Sequence, residues 1–389
     1  MLRDEIIKLF IIALERCEFG RFHLVFPDGK SQCFFGIKDG PTAHFRIHDL
    51  SVITAIATGG DIALAETYRD GLWDSDDLVA LTLYGLKNQA HLSAYINGSR
   101  LQRIAQNFQN LLRRNSRKGS FRNIPAHYDL GNNFYALWLD EGMTYSSAIF
   151  RDEKESLYDA QNNKYDRLLS RIGSTSQNIL EIGCGWGGFA ERAVTMAEHR
   201  VRGITLSPAQ CEYAHQRLTK QRKHANIQLQ DYRDQIGRYD SIVSIEMFEA
   251  VGERYWPIYF RKVKRLLADH GTLLMQTITI DDAYFNTYRK QGDAIRQLIF
   301  PGGLLPSESR LKNVAEHAGL QVTDRFAFGQ DYARTLEHWL SRFNAQQNNI
   351  LAQNKDQKFV RLWRYYLASC IAAFRSGRTN VVQLELRHA

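Results

Sequence analysis

The chain has 389 residues, with 44% hydrophobic residues, 24% charged residues and a net charge of +8. These values exclude a disordered chain and predict two or more packed domains. No run approaches the roughly 18 apolar residues of a membrane span. The nearest, residues 6–15 (IIKLFIIALE), predicts an amphipathic helix and not a signal peptide. Five cysteines without C-x-x-C spacing favour a reducing compartment and argue against a disulfide or zinc framework.

Residues 1–112 predict one small α+β domain. A helix at about 2–17 is followed by three strand-like runs and two helices: RFHLVF, SQCFFGI, AHFRIHD, DIALAETYRDG and DSDDLVALTLYGL. The first two strands flank Pro27-Asp28-Gly29, where proline fixes φ and glycine permits a positive φ, so a turn is expected. Asp76 and Asp77 fall in the first turn of the last helix, where the helix dipole favours acidic groups.

A domain boundary is expected at residues 113–122 (RRNSRKGSFR), because the stretch is charged, rich in serine and glycine, and poor in apolar residues. Five of its ten residues are basic. It is either a solvated linker or a strip that contacts phosphates at a membrane surface.

The remainder, 123–389, predicts an α/β domain with a Rossmann-like doubly wound sheet. Five apolar runs alternate with helix-length segments, which is typical of parallel strands covered on both faces: NILEIGC, HRVRGITL, NIQLQDY, DSIVSIE and GTLLMQTITI. QVTDRFAFG and VVQLELR predict a closing antiparallel pair. The segment 281–318 reads as a helical insertion, and 331–376 is helical again.

A glycine-rich loop follows the first of these strands. Residues 180–190 (LEIGCGWGGFA) fit G-x-G-x-x-G between a strand and a helix, which is the context of a nucleotide-binding loop. A dinucleotide fold requires an acidic residue at the end of the next strand, but that strand ends in Thr205-Leu206-Ser207. Glu181 instead suits a cationic ligand such as S-adenosylmethionine (SAM). From this motif alone, SAM, a dinucleotide and a purely structural use of the glycines remain open.

Further motifs point to a family. The chain resembles the cyclopropane-fatty-acyl-phospholipid synthases, SAM-dependent methyltransferases, from about residue 120 onward. The resemblance is carried by HYDLGNNFYALWLDEGMTYSSAIF, LEIGCGWGGFA, GITLSPAQ, QDYRD, SIEMFEAVGERYW, FPGGLLPS and FGQDYARTL. GDIALAETYRDGLWDSDDL resembles the smaller lipid-associating N-terminal domain of full-length bacterial members.

The resemblance implies an enzyme that transfers a methylene group from SAM to the double bond of unsaturated acyl chains in membrane phospholipids. The methyl group of SAM is electrophilic, the alkene attacks it, and loss of a proton from the transferred carbon closes the ring. A base is therefore needed in a dry site, and the family uses a bound bicarbonate ion. The implied partner is an anionic phospholipid membrane, with the protein cytoplasmic and peripheral on the inner leaflet. Pairing into a homodimer is also considered, and no nucleic acid is expected.

The resemblance also assigns site residues. Glu249 would position the bicarbonate, the hydroxyl of Tyr332 would contact it and the backbone of Ile278 would contribute. Cys370 is a further candidate, although the chemistry needs no thiol nucleophile. The predicted SAM-binding residues are Tyr145, Ser146, Gly183, Cys184, Gly185, Thr205, Leu206, Gln210, Tyr232 and Arg233. No metal site is expected, because the histidines lack metal-ligand spacing.

Two positions depart from the family pattern. Ser147 stands where many members of the family have cysteine. Gln276 stands where many have histidine, and this glutamine resembles the plant-type branch of the family. Both side chains form hydrogen bonds but neither carries positive charge, so an anion would be held less tightly. If a proton is lost elsewhere on the cation, the product is a methyl- or methylene-branched chain.

Three other functions remain open. The acceptor could be a soluble small molecule. The protein could bind SAM or lipid without turnover, given Ser147 and Gln276. A nucleic-acid methyltransferase fits the basic charge but lacks an N-P-P-[YF]-type tetrapeptide.

Overall fold

The computed structural model describes residues 2–96 and 130–389, except 174, 176, 198 and 222. The N-terminal elements are α1 Leu2–Glu15, β1 Phe19–Val25, β2 Ser31–Phe35, β3 Lys38–Ile47, α2 Ser51–Arg69, β4 Trp73–Asp74, α3 Leu78–Lys87 and α4 Gln89–Ile96. From residue 130 the elements are α5 Asn132–Ala136, α6 Leu157–Ile172, β5 Asn178–Ile182, α7 Gly188–Ala197, β6 Arg200–Thr205, α8 Pro208–Arg217, β7 Ala225–Leu229, β8 Tyr239–Ile245, α9 Trp256–Leu266, β9 Leu267–Ile280, α10 Asp282–Tyr288, α11 Ala294–Leu298, α12 Glu308–His317, β10 Leu320–Ala327, α13 Gly329–Ala345, α14 Gln347–Ala352, α15 Gln357–Arg375 and β11 Thr379–His388. The basic segment 113–122 lies outside the described residues.

The larger sheet has seven strands in the order β10-β11-β9-β8-β5-β6-β7. Neighbours from β9 to β7 are parallel, whereas β11 runs antiparallel to both β9 and β10. In β5 every residue after Asn178 is buried, as expected for a parallel strand that helices cover on both faces. The predicted doubly wound α/β sheet and its closing antiparallel pair are confirmed.

The strand order places the predicted nucleotide loop at a switch point of the sheet. β5 lies between β8 and β6, so the chain crosses to one side after β5 and returns to the other for β8. The carboxyl ends of these parallel strands share one edge, where open α/β sheets bind their ligands. The loops after β5, β6, β7 and β8 therefore meet at that edge.

The described chain forms two compact units that do not follow the predicted division of the sequence. The second unit comprises 130–286, 301–338 and 379–389, and it contains the seven-stranded sheet. The first comprises the N-terminal residues together with 287–300 and 339–378, which the sequence had assigned to the second domain. The physical reason is the apolar face of α15, whose buried side chains pack in the first unit along α2 and α3.

The first unit surrounds a small four-stranded sheet, in the order β2-β1-β3-β4. Buried residues of β1 alternate with partly exposed ones, so one face of the strand packs on the core. Asp77, predicted in the first turn of α3, is instead its N-cap, and its carboxylate accepts a hydrogen bond from the backbone of Ala80 at 2.9 Å.

Arg361 connects α15 to the end of α2 and to β4. Its guanidinium donates to the backbone carbonyls of Tyr68 and Trp73 at 2.5 and 2.7 Å, and lies 2.8 Å from the carboxylate of Asp74. We expect Arg361→Met to lower the free energy of unfolding by about 2–4 kcal/mol, because two partly buried carbonyls lose a charged donor. Chemical denaturation would measure the change.

Lys358→Met is the matched control on the same helix. Lys358 is 63% exposed and its ammonium forms a surface ion pair with Asp70, so the expected loss is below about 1 kcal/mol. Equal losses in the two variants would show that Arg361 does not hold α15 in the first unit.

Among the described residues, no helix combines the length and the apolar character needed to cross a membrane.

Candidate functional site

A cavity lies at the carboxyl edge of the seven-stranded sheet, beside the glycine-rich loop. Gly183 and Gly185 have backbone φ values of +83° and +52°, which residues other than glycine rarely adopt. A Cβ atom on Gly183 would lie 2.9 Å from Cγ of Met247. Glycine is therefore required at this position, and the bare backbone leaves room for a ligand.

The structure brings together the ten residues that the sequence assigned to SAM. All of them line this one cavity: Tyr145, Ser146, Gly183, Cys184, Gly185, Thr205, Leu206, Gln210, Tyr232 and Arg233. They come from the loop before α6, from the loops after β5 and β7, and from the stretch that runs from the end of β6 to the start of α8. Only the parallel sheet makes these distant segments neighbours.

The loop after β6 has an amide where dinucleotide folds have an acid. The Thr205 hydroxyl lies 2.9 Å from Oε1 of Gln210, and the backbone of Ser207 donates to the same hydroxyl at 3.1 Å. The Ser207 hydroxyl caps α8 by accepting from the backbone of Gln210 at 3.3 Å. The loop thus presents a buried, neutral side chain to the cavity.

Asp231 also lines the cavity, and the sequence reasoning did not single it out. Its carboxylate is almost wholly buried and bonds the guanidinium of Arg233 at 2.5 and 2.9 Å, which fixes the Tyr232–Asp234 turn. The signal in the sequence was an acidic residue two positions after β7, at the ligand-binding edge of the sheet.

Glu181 is the second acidic group of the cavity. Its side chain is buried, and Oε2 has no hydrogen-bond partner among the described residues. Removal from water raises the pKa of Glu181 to about 8. The positive charge of Arg217 opposes this rise only in part. A ligand that carries a positive charge would supply the missing partner.

Glu246 lies on the wall of the same cavity, directly after β8. Oε1 of its carboxylate accepts hydrogen bonds from the backbone of Ser147 and from Nε2 of Gln276, each at 2.8 Å. Oε2 accepts from the hydroxyl of Tyr332 at 2.8 Å. Three donors from three separate segments therefore hold one carboxylate.

Glu249 stands one turn further along, in the short 3-10 segment Phe248–Ala250. Its Oε1 accepts from the backbone of Ile278 at 2.5 Å and from the hydroxyl of Thr277 at 2.8 Å. Its Oε2 is buried and has no hydrogen-bond partner among the described residues. Removal from water, and then the charge of Glu246, raise the pKa of Glu249 to about 7.

A buried lysine interacts with the charge of Glu246. Lys164 is fully buried, and its ammonium bonds the hydroxyl of Ser146. Desolvation lowers the pKa of Lys164 to about 7, although the negative charges of Glu246 and Asp140 act to raise it. Desolvation likewise raises the pKa of Glu246, and the charge of Lys164 opposes that rise.

Gln276 is fixed from behind by a chain of polar groups. Its Oε1 accepts from Nε2 of Gln383 at 3.0 Å, and the Gln383 oxygen accepts from Arg167 at 2.9 Å. The amide of Gln276 is therefore oriented with its nitrogen toward Glu246.

Five of the six residues predicted to be catalytic come together around the two glutamates: Glu249, Tyr332, Ser147, Gln276 and Ile278. Cys370 is not among them. It lies on α15 in the first unit, and desolvation raises the pKa of its thiol, so the thiol stays protonated at neutral pH.

The sequence reasoning missed Glu246 and Lys164. Glu246 lies inside the quoted SIEMFEAVG motif at the end of a strand, which was the available signal. Lys164 had no such signal, because a lysine on an amphipathic helix is ordinarily exposed. No group of three or more His, Cys, Asp or Glu side chains in the described part of the chain could hold a metal ion.

Comparison with known proteins gives concordant matches. The family model described as mycolic acid cyclopropane synthetase matches residues 115–384. Tuberculostearic acid methyltransferase UfaA1 of Mycobacterium tuberculosis is 36% identical over 381 residues, which cover 93% of this chain and 87% of that protein. Cyclopropane-fatty-acyl-phospholipid synthase of Escherichia coli is 32% identical over 363 residues, 91% of this chain and 90% of that protein.

Among solved structures, mycolic acid cyclopropane synthase CmaA1 complexed with SAH and CTAB matches with a TM-score of 0.64 and 31% identity. The match covers 68% of this chain and 97% of that chain.

Proposed function

This chain belongs to the mycolic acid cyclopropane synthetase family and is a SAM-dependent methyltransferase, and from that premise we propose its substrate and product. The proposed substrate is the unsaturated acyl chain of a membrane phospholipid, and the proposed product is the cyclopropane. The observation that carries the proposal is the carboxylate of Glu246 on the wall of the cavity, because alkylation of an alkene creates a cation that must lose a proton.

The cavity residues fit SAM. The glycine loop admits a ligand against bare backbone. Oε2 of Glu181, which has no hydrogen-bond partner in the part of the chain that the structure describes, suits a positively charged group. The ten predicted binding residues would hold it together with Glu181 and Asp231. When bound, SAM supplies an electrophilic methyl group.

The other requirements of the reaction are an apolar cavity, an oriented base and stabilisation of the cation, and side chains of this protein meet them. Met143, Ile245, Met247 and Val251 give the cavity apolar surface, which suits an acyl chain and excludes water that would trap a cation. Tyr332, Gln276 and Ser147 orient the Glu246 carboxylate. The negative charges of Glu246 and Glu249 favour positive charge developing nearby.

The residues do not fit the separate bicarbonate ion that the resemblance implies. The Tyr332 hydroxyl, the Gln276 amide and the Ser147 backbone already donate to Glu246, and the Ile278 backbone donates to Glu249. No step of the proposed reaction is therefore assigned to bicarbonate.

A methyl- or methylene-branched product is the second candidate. It is supported by the 36% identity to UfaA1, a relative named as a methyltransferase, over 93% of this chain. Both products start from one cation. A chain proton lost next to the cationic carbon leaves a methyl-branched alkene, and a hydride shift to the cationic carbon before loss of a methyl proton leaves a methylene branch.

Docking of the first unit on an anionic membrane surface is also proposed. The net charge of +8 favours it, and Phe35 and Ile37 are 68% and 87% exposed beside the basic Lys38. Cosedimentation with anionic vesicles should fall as salt rises, and should fall further in Phe35→Ser/Ile37→Ser. The pairing of two copies stays a prediction that the molecular mass in solution would test.

The first test of function is an assay with methyl-labelled SAM and vesicles of monounsaturated phospholipid. The released fatty acids are analysed by mass spectrometry before and after mild hydrogenation. A product heavier by one CH₂ that resists hydrogenation supports the cyclopropane, and one that takes up hydrogen supports a methylene branch. A saturated methyl branch would be two hydrogens heavier than the cyclopropane and would need a reductant that the assay does not contain, so the mass separates the two, and proton NMR of the cyclopropane methylene checks the assignment. No labelled lipid, together with measurable SAM binding, would overturn the acyl-chain proposal.

SAM binding should weaken as pH falls through about 8. Glu181 binds a proton below that pKa, and a neutral carboxyl attracts a cationic ligand less than a carboxylate does. We expect Glu181→Gln to bind SAM about 10-fold more weakly at pH 9 and to lose this pH dependence. Isothermal titration calorimetry at several pH values would measure both effects. An unchanged pH profile in the variant would show that another group controls binding.

A further inference from the structure

We propose that the side chain of Glu246 is the proton acceptor of this enzyme and replaces an external anion, so that turnover needs no bicarbonate. This inference rests on the proposed alkylation of an alkene. It assigns to the chain itself the base that related enzymes are expected to borrow from solution.

The first support is the set of donors. The backbone of Ser147, the amide of Gln276 and the hydroxyl of Tyr332 converge on the Glu246 carboxylate, each at 2.8 Å. These groups come from the loop before α6, from β9 and from α13, so no local motif brings them together. A bicarbonate ion has the same planar carboxylate group, and its binding would require the same donors.

The second support is the backbone of Glu246. Its φ is +48°, in the left-handed region that non-glycine residues seldom adopt. A strained conformation persists where the surrounding structure enforces it, and it concentrates at functional sites. Here the strain turns the side chain from the end of β8 into the ring of donors.

The third support is position. Glu246 lines the cavity that the SAM-binding residues form, whereas Glu249 is not among the residues that line it. Glu249 instead uses Oε1 to bond the backbone of Ile278 and the hydroxyl of Thr277. The geometry thus separates a carboxylate that lines the cavity from one that bonds the backbone and hydroxyl beside it.

The neighbouring charges suit this role. Lys164 attracts the ionised form of Glu246, and the charge of Glu249, three residues further along the chain, repels it. Glu246 can therefore exist as a carboxylate in a partly dry site and still gain a proton readily. These are the charged groups that interact with it from α6 and from its own loop.

The step balances as follows. A bond forms between the methyl carbon and one alkene carbon, while the methyl–sulfur bond breaks and its electron pair stays on sulfur. The other alkene carbon becomes cationic. A C–H bond of the transferred carbon then breaks, its electron pair closes the ring, and the proton passes to an oxygen of Glu246. The proton returns to solvent before the next turnover.

The test compares the full-length protein in bicarbonate-depleted and bicarbonate-supplemented buffer, with vesicles of monounsaturated phospholipid. We expect the wild-type rate to differ less than about 2-fold. A fall of 10-fold or more on depletion, restored by bicarbonate, would overturn the inference while leaving the proposed function intact. Absence of labelled lipid under both conditions would overturn the function, and with it the inference.

Variants at Glu246 sharpen the test. Glu246→Gln keeps the size of the side chain but removes its basicity, so kcat should fall about 100-fold or more while SAM affinity in calorimetry changes little. Glu246→Gly relieves the positive φ and vacates the ring of donors. Its activity should be low without added anion and should rise at least about 10-fold with bicarbonate or formate.

A binding readout does not depend on activity. Labelled ¹³C-bicarbonate should show NMR line broadening with Glu246→Gly and none with the wild type. Glu253→Gln, in the next 3-10 segment, is the control and should keep the wild-type rate. An active Glu246→Gln variant, or bicarbonate binding to the wild type, would exclude Glu246 as the built-in base.

Discussion

Replacing Glu249 by glutamine is expected to lower kcat about 100-fold while leaving the affinity for SAM nearly unchanged. The amide oxygen of glutamine can still accept from the backbone of Ile278 and the hydroxyl of Thr277, as Oε1 of Glu249 does at 2.5 and 2.8 Å. What is lost is the charge beside Glu246, which favours both the cation and the transfer of its proton. Single-turnover kinetics with labelled SAM would measure the loss.

The pH profile distinguishes this effect from misfolding. The pKa of Glu249 is raised to about 7, so the wild-type rate should fall as pH drops below 7 and the pair gains a proton. In Glu249→Gln the repulsion is gone, the pKa of Glu246 falls, and the acid limb should move to lower pH. Glu253→Gln should retain both the wild-type rate and profile. An acid limb that does not move would show that the two carboxylates are not coupled.

Gly183→Ala should weaken SAM binding by at least about 10-fold. The new Cβ would lie 2.9 Å from Cγ of Met247, at a residue whose φ is +83°. Left-handed backbone costs a residue with a side chain about 1–2 kcal/mol, and relief of the clash would move the loop or Met247 on the cavity wall. Calorimetric titration with SAM would measure the affinity.

Gly173→Ala separates the two contributions. Gly173 ends α6 with φ +95°, but a Cβ there would have nothing within 4 Å. It should reduce thermal stability through backbone strain and leave SAM affinity unchanged. If both variants bound SAM like the wild type, close approach of a ligand to Gly183 would be ruled out.

The family resemblance assigned the residues around the cavity, and the strand pattern agrees with that assignment for those that follow a strand. β5, β6, β7 and β8 are apolar runs with polar or glycine residues at their carboxyl ends, and parallel strands bring those ends together. Gly183, Thr205 and Tyr232, which the resemblance assigned to SAM, lie at these carboxyl ends. Their role in binding SAM stays a prediction for the calorimetric experiments to test.

In the first unit, the position of a segment along the chain does not predict the unit to which it belongs. Its boundary in the sequence was drawn where the composition changes, at 113–122. The helix α15 reads as part of the second domain by its position in the chain, yet Arg361 and its apolar neighbours pack in the first unit. Amphipathic periodicity predicts that a helix buries one face, but it does not say against which partner.

The sequence by itself determined the fold class, the glycine loop, the family resemblance and most of the polar residues near the reaction. Local patterns carry that information, because strand periodicity, loop glycines and short motifs depend on nearby residues. Only the tertiary structure decided which donors meet which carboxylate. Tyr332, Gln276 and Ser147 converge on Glu246 from three distant segments, and the positive φ of Glu246 turns its side chain toward them. This convergence follows from the packing of the sheet, and no single sequence motif predicts it.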